Sequence, residues 1–402
     1  MAGWRSPLMF LFVTVFVDMI GYGIVVPLLP FYAGVYASGA VLVGLLGSVY
    51  AAMQFAGGPF LGGLSDRHGR RPVLLLCLLG ASLAYLLLGL ARTLAVLVLA
   101  VVLAGVTSGT LATSQAYIAD STTKEERARG LGMIGAAFGL GLMAGPALGG
   151  LLSLHSLSAP ALFASALALA NFFFGYVTLP ESHPPHLRKA VPLLRLNPIS
   201  QLGRILKMRN VRALLVAVLL LNLAFAGLVS NFPLFSHVRF GWGTTSNAFF
   251  FAFVGVCAVV TQGLLIGRLQ PRFGESRLLL GGLALVALNL ALVAMVPSGV
   301  FLYPVVGLLA LGTGLAIPSL TAIISNRTPA GTQGRLMGGL QAILSLAMIL
   351  GPTLAGLAFD YLGVPAPYLI GGALAVLALI FSGADLMPGR RSGTLRRAGS
   401  SG

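Results

Sequence analysis

The chain has 402 residues, of which 57% are hydrophobic and only 8% are charged, and its formal net charge is +16. Because a soluble domain carries roughly a quarter charged residues, this composition excludes a soluble enzyme. The apolar residues come in repeated blocks of about twenty, long enough for a helix to cross a bilayer. The basic residues lie in short loops between these blocks, which argues against a nucleic-acid partner.

A hydropathy window of about 19 residues predicts twelve membrane-spanning helices, and therefore an all-α membrane protein. In chain order the predicted spans cover 8–30, 40–62, 72–91, 94–119, 130–153, 159–179, 212–236, 246–267, 277–296, 300–324, 335–358 and 366–387. An even number of spans puts both termini on one side. Lysine and arginine lie almost entirely on that side, and only Arg92 and Arg239 fall opposite. By the positive-inside rule, we expect both termini in the cytoplasm.

One long connection, Pro180 to Val211, is rich in proline and basic residues. It predicts a cytoplasmic linker over 181–211, which separates a six-helix bundle at 1–180 from a second bundle at 212–387. The tail 388–402 is expected to be disordered. Within the linker, Arg204 to Arg212 form either an amphipathic helix on anionic lipid or a solvated tether.

The two halves repeat each other at a constant offset of 206 residues. The matched pairs are Gly21 with Gly227, Pro27-Leu28 with Pro233-Leu234, Ala116 with Ala322, Ile118 with Ile324, Arg129 with Arg335, and Gly145-Pro146 with Gly351-Pro352. Parallel repeats of this kind predict two pseudo-symmetric bundles, a substrate site between them near the membrane midplane, and alternating access. This architecture is typical of a carrier.

The loop after the second span reads Gly62-Gly63-Leu64-Ser65-Asp66-Arg67-His68-Gly69-Arg70-Arg71-Pro72. Its glycines allow close helix packing, and its arginines can bind lipid phosphate or the neighbouring acid. The string resembles the Gly-x-x-x-Asp-Arg-x-Gly-Arg-Arg signature of the major facilitator superfamily. Further strings resemble the twelve-span drug:proton antiporters, most closely the tetracycline-efflux type: Asp18 to Gly23 running to Pro30, Met53 to Phe55, Ala116 to Asp120 with Glu126 to Arg129, Gly141 to Gly150, and Leu179 to His183.

The resemblance implies two groups of conformational residues. In the family, the acid matching Asp66 helps to latch the halves together, with Arg129 and the start of the eleventh span near Arg335 as candidate partners here. The latch residues are Gly62, Gly63, Asp66, Arg67, Gly69, Arg70, Arg71 and Arg129. The antiporter motif is Gly141, Gly145, Pro146, Gly149 and Gly150. Glycines four apart also suit a purely structural packing seam, so that alternative stays open.

Asp18 is the candidate proton-coupling residue, because it is the one acid well inside a predicted span. A bare carboxylate near the midplane costs several kcal/mol, and burial favours its protonated form. A group that is protonated in one access state and released in the other would carry protons. The alternative is a neutral Asp18 hydrogen-bonded to the backbone near the glycines.

Other polar residues on apolar spans are candidates to line a substrate cavity or to bridge helices. They are Tyr50, Gln54, Thr110, Ser114, Tyr117, Asn222, Asn231, Gln262 and Gln341. Tetracycline antiporters carry acids in spans three and nine and an arginine in span four, where this chain aligns Ala84, Leu285 and Val101. These departures put the usual coupling route in doubt.

The expected function is export of hydrophobic or amphipathic molecules, neutral or cationic, across a bacterial inner membrane in exchange for protons. The alternatives are an uncoupled facilitator or exporter of a sugar or metabolite, and a lipid-handling or receptor-like protein on the same fold. No enzymatic site, cofactor or metal site is predicted, since the chain has no phosphate-binding loop and only His183 and His186 suggest a metal pair. The expected partners are a small-molecule substrate, protons and membrane lipid, and the expected state is a monomer.

Overall fold

The computed structural model describes residues 7–34, 39–122, 124–183, 210–328 and 333–386, together with positions 203 and 208. All regular structure among these residues is helical, which confirms the predicted all-α fold. The linker beyond His183 falls almost entirely outside the described residues, as does the tail from residue 387. The side chains of Arg129 and Arg335 lie outside them as well.

Twelve spans follow one another along the chain, and we number them in that order. In the first half the helical bounds are Pro7–Val25 with Leu29–Gly34 for span 1, Ala40–His68 for span 2, Arg70–Gly89 for span 3, Leu94–Val106 with Thr110–Ser121 for span 4, Lys124–Ser153 for span 5 and Ala159–Thr178 for span 6. In the second half they are Arg212–Phe240 for span 7, Thr244–Val260 for the main part of span 8, Ile266–Met295 for the end of span 8 and the whole of span 9, Leu302–Asn326 for span 10, Gln333–Leu362 for span 11 and Ala366–Leu386 for span 12.

Eleven of these helical segments meet the length and hydropathy expected of a membrane span. The twelfth, Thr244–Val260, is shorter, but a π-helical turn over Thr261–Leu265 continues it into the next helix. That helix turns sharply at Gly274, whose φ of 75° is accessible to glycine at little cost. Span 8 therefore continues past Ile266 to this turn, and span 9 follows it.

Span 4 differs from its prediction as a single helix over 94–119. It breaks at Thr107, Ser108 and Gly109, between Leu94–Val106 and Thr110–Ser121. The chain packs closely on neighbouring spans on both sides of the break: a Cβ on Gly105 would lie 2.6 Å from the Tyr50 carbonyl oxygen, and a Cβ on Gly109 would lie 2.7 Å from Leu61. The break leaves Thr110 in the first turn of a new helix that faces the interior of the first bundle.

The spans pack into two six-helix groups that meet mainly through two pairs of helices. Span 2 packs on span 11, and span 5 packs on span 8. The tight contacts lie at the ends opposite the chain termini: a Cβ on Gly44 would lie 2.3 Å from the Pro352 carbonyl oxygen, and Ser153 donates to Thr244 at 2.9 Å. The two groups are therefore closed against each other at that end.

Candidate functional site

Asp18 lies half-buried on span 1, where it lines a cavity that is partly open to its surroundings. The walls come from the first bundle only, through spans 1 to 5. Asp18 is hydrogen-bonded to the side chain of Thr110, which the break in span 4 places against span 1. The predicted intramembrane acid thus faces a cavity rather than lipid.

Three tyrosines surround this carboxyl. Tyr22, Tyr50 and Tyr85 line the Asp18 cavity, and the rings of Tyr22 and Tyr50 lie 5.9 Å apart between centroids. Tyr50 is hydrogen-bonded to the Ser108 side chain. The ring of Tyr85 packs against the backbone of span 1 at Gly21, where a Cβ would lie 3.0 Å from the ring. Together with Thr107 and Gln54, these residues give the cavity its polar lining.

A second cavity adjoins the first and shares the three tyrosines with it. Ala226, Val229 and Ser230 of span 7 and Met348 and Pro352 of span 11 contribute the wall from the second bundle. An almost entirely apolar pocket therefore lies between the bundles, where the repeat predicts a substrate site. Such a lining, with a few polar groups, is typical of a small-molecule site.

Two of the three departures from the antiporter pattern lie in this second cavity. Ala84 and Val101 both line it, so the positions that would carry an acid and an arginine are apolar. Leu285 instead packs on span 10, where a Cβ on Gly312 would lie 3.0 Å from its Cβ. Among the described residues, neither cavity is lined by lysine, arginine or histidine, and Asp18 is the single carboxyl or base along the two linings.

The latch loop is organised around the buried guanidinium of Arg70. Arg70 donates to Asp66 at 2.5 Å, to Asp120 at 2.8 Å and to Ser65 at 3.1 Å. Asp66 thus pairs within its own bundle, with a partner four residues along the chain. Gly69 makes the turn between spans 2 and 3 with a φ of 108°, which explains the need for glycine there.

Glu181 completes the same network from beyond span 6. Its carboxylate accepts from the backbone N–H groups of Arg70 at 2.8 Å and Arg71 at 3.3 Å, at the start of span 3. A carboxylate at a helix N-terminus is stabilised by the unpaired N–H groups and the helix dipole. Glu181 was expected to begin the linker, but its contacts belong to the first bundle.

The other latch residues have separate environments. Arg71 donates to the Tyr176 carbonyl oxygen at 2.7 Å, whereas Arg67 is exposed. Gly63 is buried, and a Cβ on Gly62 would meet nothing within 4 Å among the described residues. The structure therefore unites Asp66, Arg70 and Arg71 with Asp120 and Glu181.

The glycines of the antiporter motif pack span 5 on span 1. A Cβ on Gly141 would lie 2.6 Å from the Phe16 carbonyl oxygen, and a Cβ on Gly145 would lie 2.7 Å from Gly23. Gly149 approaches Ile24 in the same row, while Gly150 turns toward span 8, where a Cβ would lie 2.3 Å from the Ala248 Cβ. Pro146, buried inside this helix, lies next to Gly23.

The predicted cavity residues divide between the site and the packing of helices. Tyr50 and Gln54 line the Asp18 cavity, and Thr110 bonds to Asp18. The others line neither cavity: Ser114 and Asn231 are fully buried, Tyr117 donates to the Pro180 carbonyl oxygen at 2.9 Å, Asn222 donates to Val218 at 2.8 Å, and Gln262 and Gln341 are exposed.

Tyr22 and Tyr85 were not among the predicted site residues. Tyr22 lies one helical turn after Asp18, so the spacing of four residues could have indicated a shared face. Tyr85 offered no comparable pattern, because its approach to Asp18 depends on how span 3 packs against span 1.

Comparison with known proteins places this geometry in a family. The family model for the Major Facilitator Superfamily matches residues 11–307 and 258–397. The tetracycline resistance protein, class C, of Escherichia coli is 36% identical over 395 residues, which cover 96% of this chain and 97% of that protein. Multidrug resistance protein 2 of Bacillus subtilis is 31% identical, covering 91% of each chain.

Solved structures show the same fold at lower identity. The human organic anion transporter MFSD10 superposes with a TM-score of 0.72 at 24% identity, over 95% of this chain and 100% of that one. The nucleoside transporter NupG superposes with a TM-score of 0.79 at 14% identity, again over 95% and 100%. The chain belongs to the major facilitator superfamily, and it is a multi-pass membrane transporter rather than an enzyme.

Proposed function

We propose that the protein exports hydrophobic or amphipathic small molecules, neutral or cationic, by alternating access and in exchange for protons. The observation that carries this proposal is the position of Asp18: a single carboxyl, ringed by three tyrosines, in a cavity that adjoins the apolar pocket between the bundles. The relatives named for tetracycline and multidrug resistance support the same class of substrate.

The lining of the two cavities supports the choice of substrate. Alanine, valine, leucine and methionine side chains favour an apolar molecule, and the tyrosine rings can hold a cation against their faces. An anion would need a basic group to offset its desolvation, and the part of the two linings that the structure describes contains none.

Proton exchange follows from the chemistry of Asp18. Away from bulk water its charged form is stable only with a cation or hydrogen-bond donors nearby. A proton and a cationic substrate would therefore compete for the same carboxyl. Binding of one would release the other, which couples their opposite movements.

Alternating access would use the two ends of the bundles in turn. In the structure the bundles are closed at the end opposite the termini. If the positive-inside rule holds, this is the extracytoplasmic end, and the conformation receives substrate from the cytoplasm of a bacterial inner-membrane protein. The pairing of Asp66 with Arg70 would then be the unlatched form of the loop, and the glycine row of span 5 would slide on span 1.

The test is a proton-flux assay in proteoliposomes. Purified protein is reconstituted with a pH-sensitive dye inside, and tetraphenylphosphonium, related lipophilic cations and tetracycline are added. We expect a substrate-evoked pH change that Asp18→Asn abolishes and Asp18→Glu partly retains. Glu275→Gln is the matched control, because Glu275 contacts Gln270 and Asn326, away from both cavities.

The missing charges at Ala84, Val101 and Leu285 favour one alternative, an uncoupled facilitator of a neutral metabolite. Substrate movement without proton flux, unchanged in Asp18→Asn, would establish it. Binding without any saturable flux would instead favour the lipid-handling or receptor-like alternative. The division into 1–180, 181–211 and 212–387, the monomeric state and the contact with lipid remain predictions.

A further inference from the structure

At the closed end, a carboxylate of the second bundle binds the first turn of a helix in the other bundle. Asp360, near the end of span 11, accepts from the backbone N–H of Ala40 at 3.0 Å and from that of Val41 at 2.9 Å. These are the first two residues of span 2, whose N–H groups have no partner within the helix. The residue that precedes them, Gly39, has no side chain to bind them.

The contacts below this pair explain why it depends on the position of the bundles. A Cβ on Gly356 would lie 2.5 Å from the Ala40 carbonyl oxygen, so the two backbones touch there. Further along, the hydroxyls of Ser48 and Thr353 lie 2.7 Å apart. Asp360 can reach the start of span 2 only while these backbones are in contact.

The environments of the two partners differ in a way that suits a reversible bond. Ala40 is fully buried, whereas the Asp360 residue is exposed. When the bundles separate, water can solvate the carboxylate, but the start of span 2 loses the anion that offsets its helix dipole. The conformation that is closed at this end therefore has a favourable interaction that the conformation open at this end lacks.

We propose that Asp360 is a positioning residue that sets the equilibrium between the two access states, by capping span 2 only when the end opposite the termini is closed. This inference rests on the alternating access proposed above, but it does not depend on protons or on Asp18. Loss of a side-chain helix cap typically shifts an equilibrium by about five-fold. Asp360→Ala should shift the equilibrium by about this factor toward the access state that is open at the end opposite the termini. Asp360→Asn should shift it by less, since an amide keeps one acceptor.

The experiment measures access to the cavity from each side of the membrane. Ser230, which lines the cavity between the bundles, is replaced by cysteine in a chain whose Cys77 and Cys257 are changed to alanine. Its reaction with a membrane-impermeant thiol reagent is timed in vesicles of both orientations. We expect the rate from the side opposite the termini to rise about five-fold in Asp360→Ala. Glu275→Gln, whose partners lie in its own bundle, should leave it unchanged.

A second variant separates the cap from the link between bundles. Gly39 has an extended backbone, with φ −89° and ψ 142°, which a serine can adopt, and a serine there would cap span 2 locally. In the double variant Asp360→Ala with Gly39→Ser, the rate should stay raised, because the link to span 11 is still missing. Return to the parent rate would show that Asp360 only stabilises the helix, and would overturn the proposal.

The remaining outcomes distinguish this inference from the proposed function. The control is that tetraphenylphosphonium changes the side from which the parent's cysteine at Ser230 reacts. With this control met, equal rates of thiol reaction in the parent and in Asp360→Ala would also overturn the proposal. If tetraphenylphosphonium and the other cations leave the parent accessible from one side only, alternating access itself would fail, and the role of Asp360 with it.

Discussion

Arg70 donates to Asp120 across 2.8 Å, so the first residue of span 3 is tied to the last turn of span 4. The Arg70 side chain is only 10% exposed and also binds Asp66. A buried cation of this kind is stable only with its acidic partners, and these acids depend on it in turn.

Arg70→Ala should therefore lower thermal stability, because it leaves Asp66 and Asp120 without their cation. Loss of a buried ion pair costs about 3 kcal/mol, which corresponds to roughly 4 °C in the unfolding midpoint of a chain of this length. Scanning fluorimetry of the detergent-solubilised protein would measure the shift. Arg67→Ala is the matched control, since Arg67 is exposed, and equal midpoints for the two variants would contradict the prediction.

Gly145→Ala should impair the contact between spans 5 and 1. The added Cβ would lie 2.7 Å from Gly23 and from the Ile20 carbonyl oxygen, and backbone atoms cannot rotate away. Overpacking costs about 1–3 kcal/mol, so we expect a lower folded yield and at least a several-fold slower efflux of tetraphenylphosphonium. Gly139→Ala meets nothing within 4 Å among the described residues and should behave like the parent.

Gly150→Ala should open the closed end, because the new Cβ would lie 2.3 Å from the Ala248 Cβ of the other bundle. The reaction of a cysteine at Ser230 from that side would increase. Ala248→Gly in the same chain removes the clash and should restore the parent rate, since the next atoms are 3.6 Å away. A double variant that reacts like Gly150→Ala would show that this contact does not hold the end shut.

Ala84→Asp should broaden the substrate range toward dications. It adds a second carboxylate to the lining of the cavity between the bundles, near the tyrosines. One further charge interaction in a partly desolvated site is worth roughly tenfold in affinity, measured as competition by a dicationic compound against tetraphenylphosphonium transport. Leu285→Asp should instead lower stability without this gain, because Leu285 packs on span 10.

The sequence predicts the spans clearly and singles out Asp18, for identifiable reasons. Each span is a long apolar block, and Asp18 stands out because an acid within such a block is rare. The sequence allowed Asp66 to pair with an arginine of its own loop, and the structure shows that Arg70 is this partner. A loop sequence does not show which of several cations its acid meets, so the choice of Arg70 could not be predicted.

The cavity itself was less accessible to prediction. Tyr117 looked like a cavity residue, yet its ring packs in the core and its hydroxyl bonds to Pro180, because polarity alone does not show which way a helix face points. Pro352 was noted only as a match in the internal repeat, yet it forms part of the wall between the bundles. Both outcomes depend on rotations of whole helices, which are set by contacts between distant parts of the chain.

The confinement of the ionisable group to one half of the duplicated chain has an electrical consequence. The position that matches Asp18 in the second repeat is Ala224, which is buried and packs near Gly371. One carboxyl holds one proton, so the proposed exchange of a proton for a monovalent cation moves no net charge across the membrane. Export of such a cation would then follow the pH gradient and ignore the membrane voltage, whereas a neutral substrate would be driven by both.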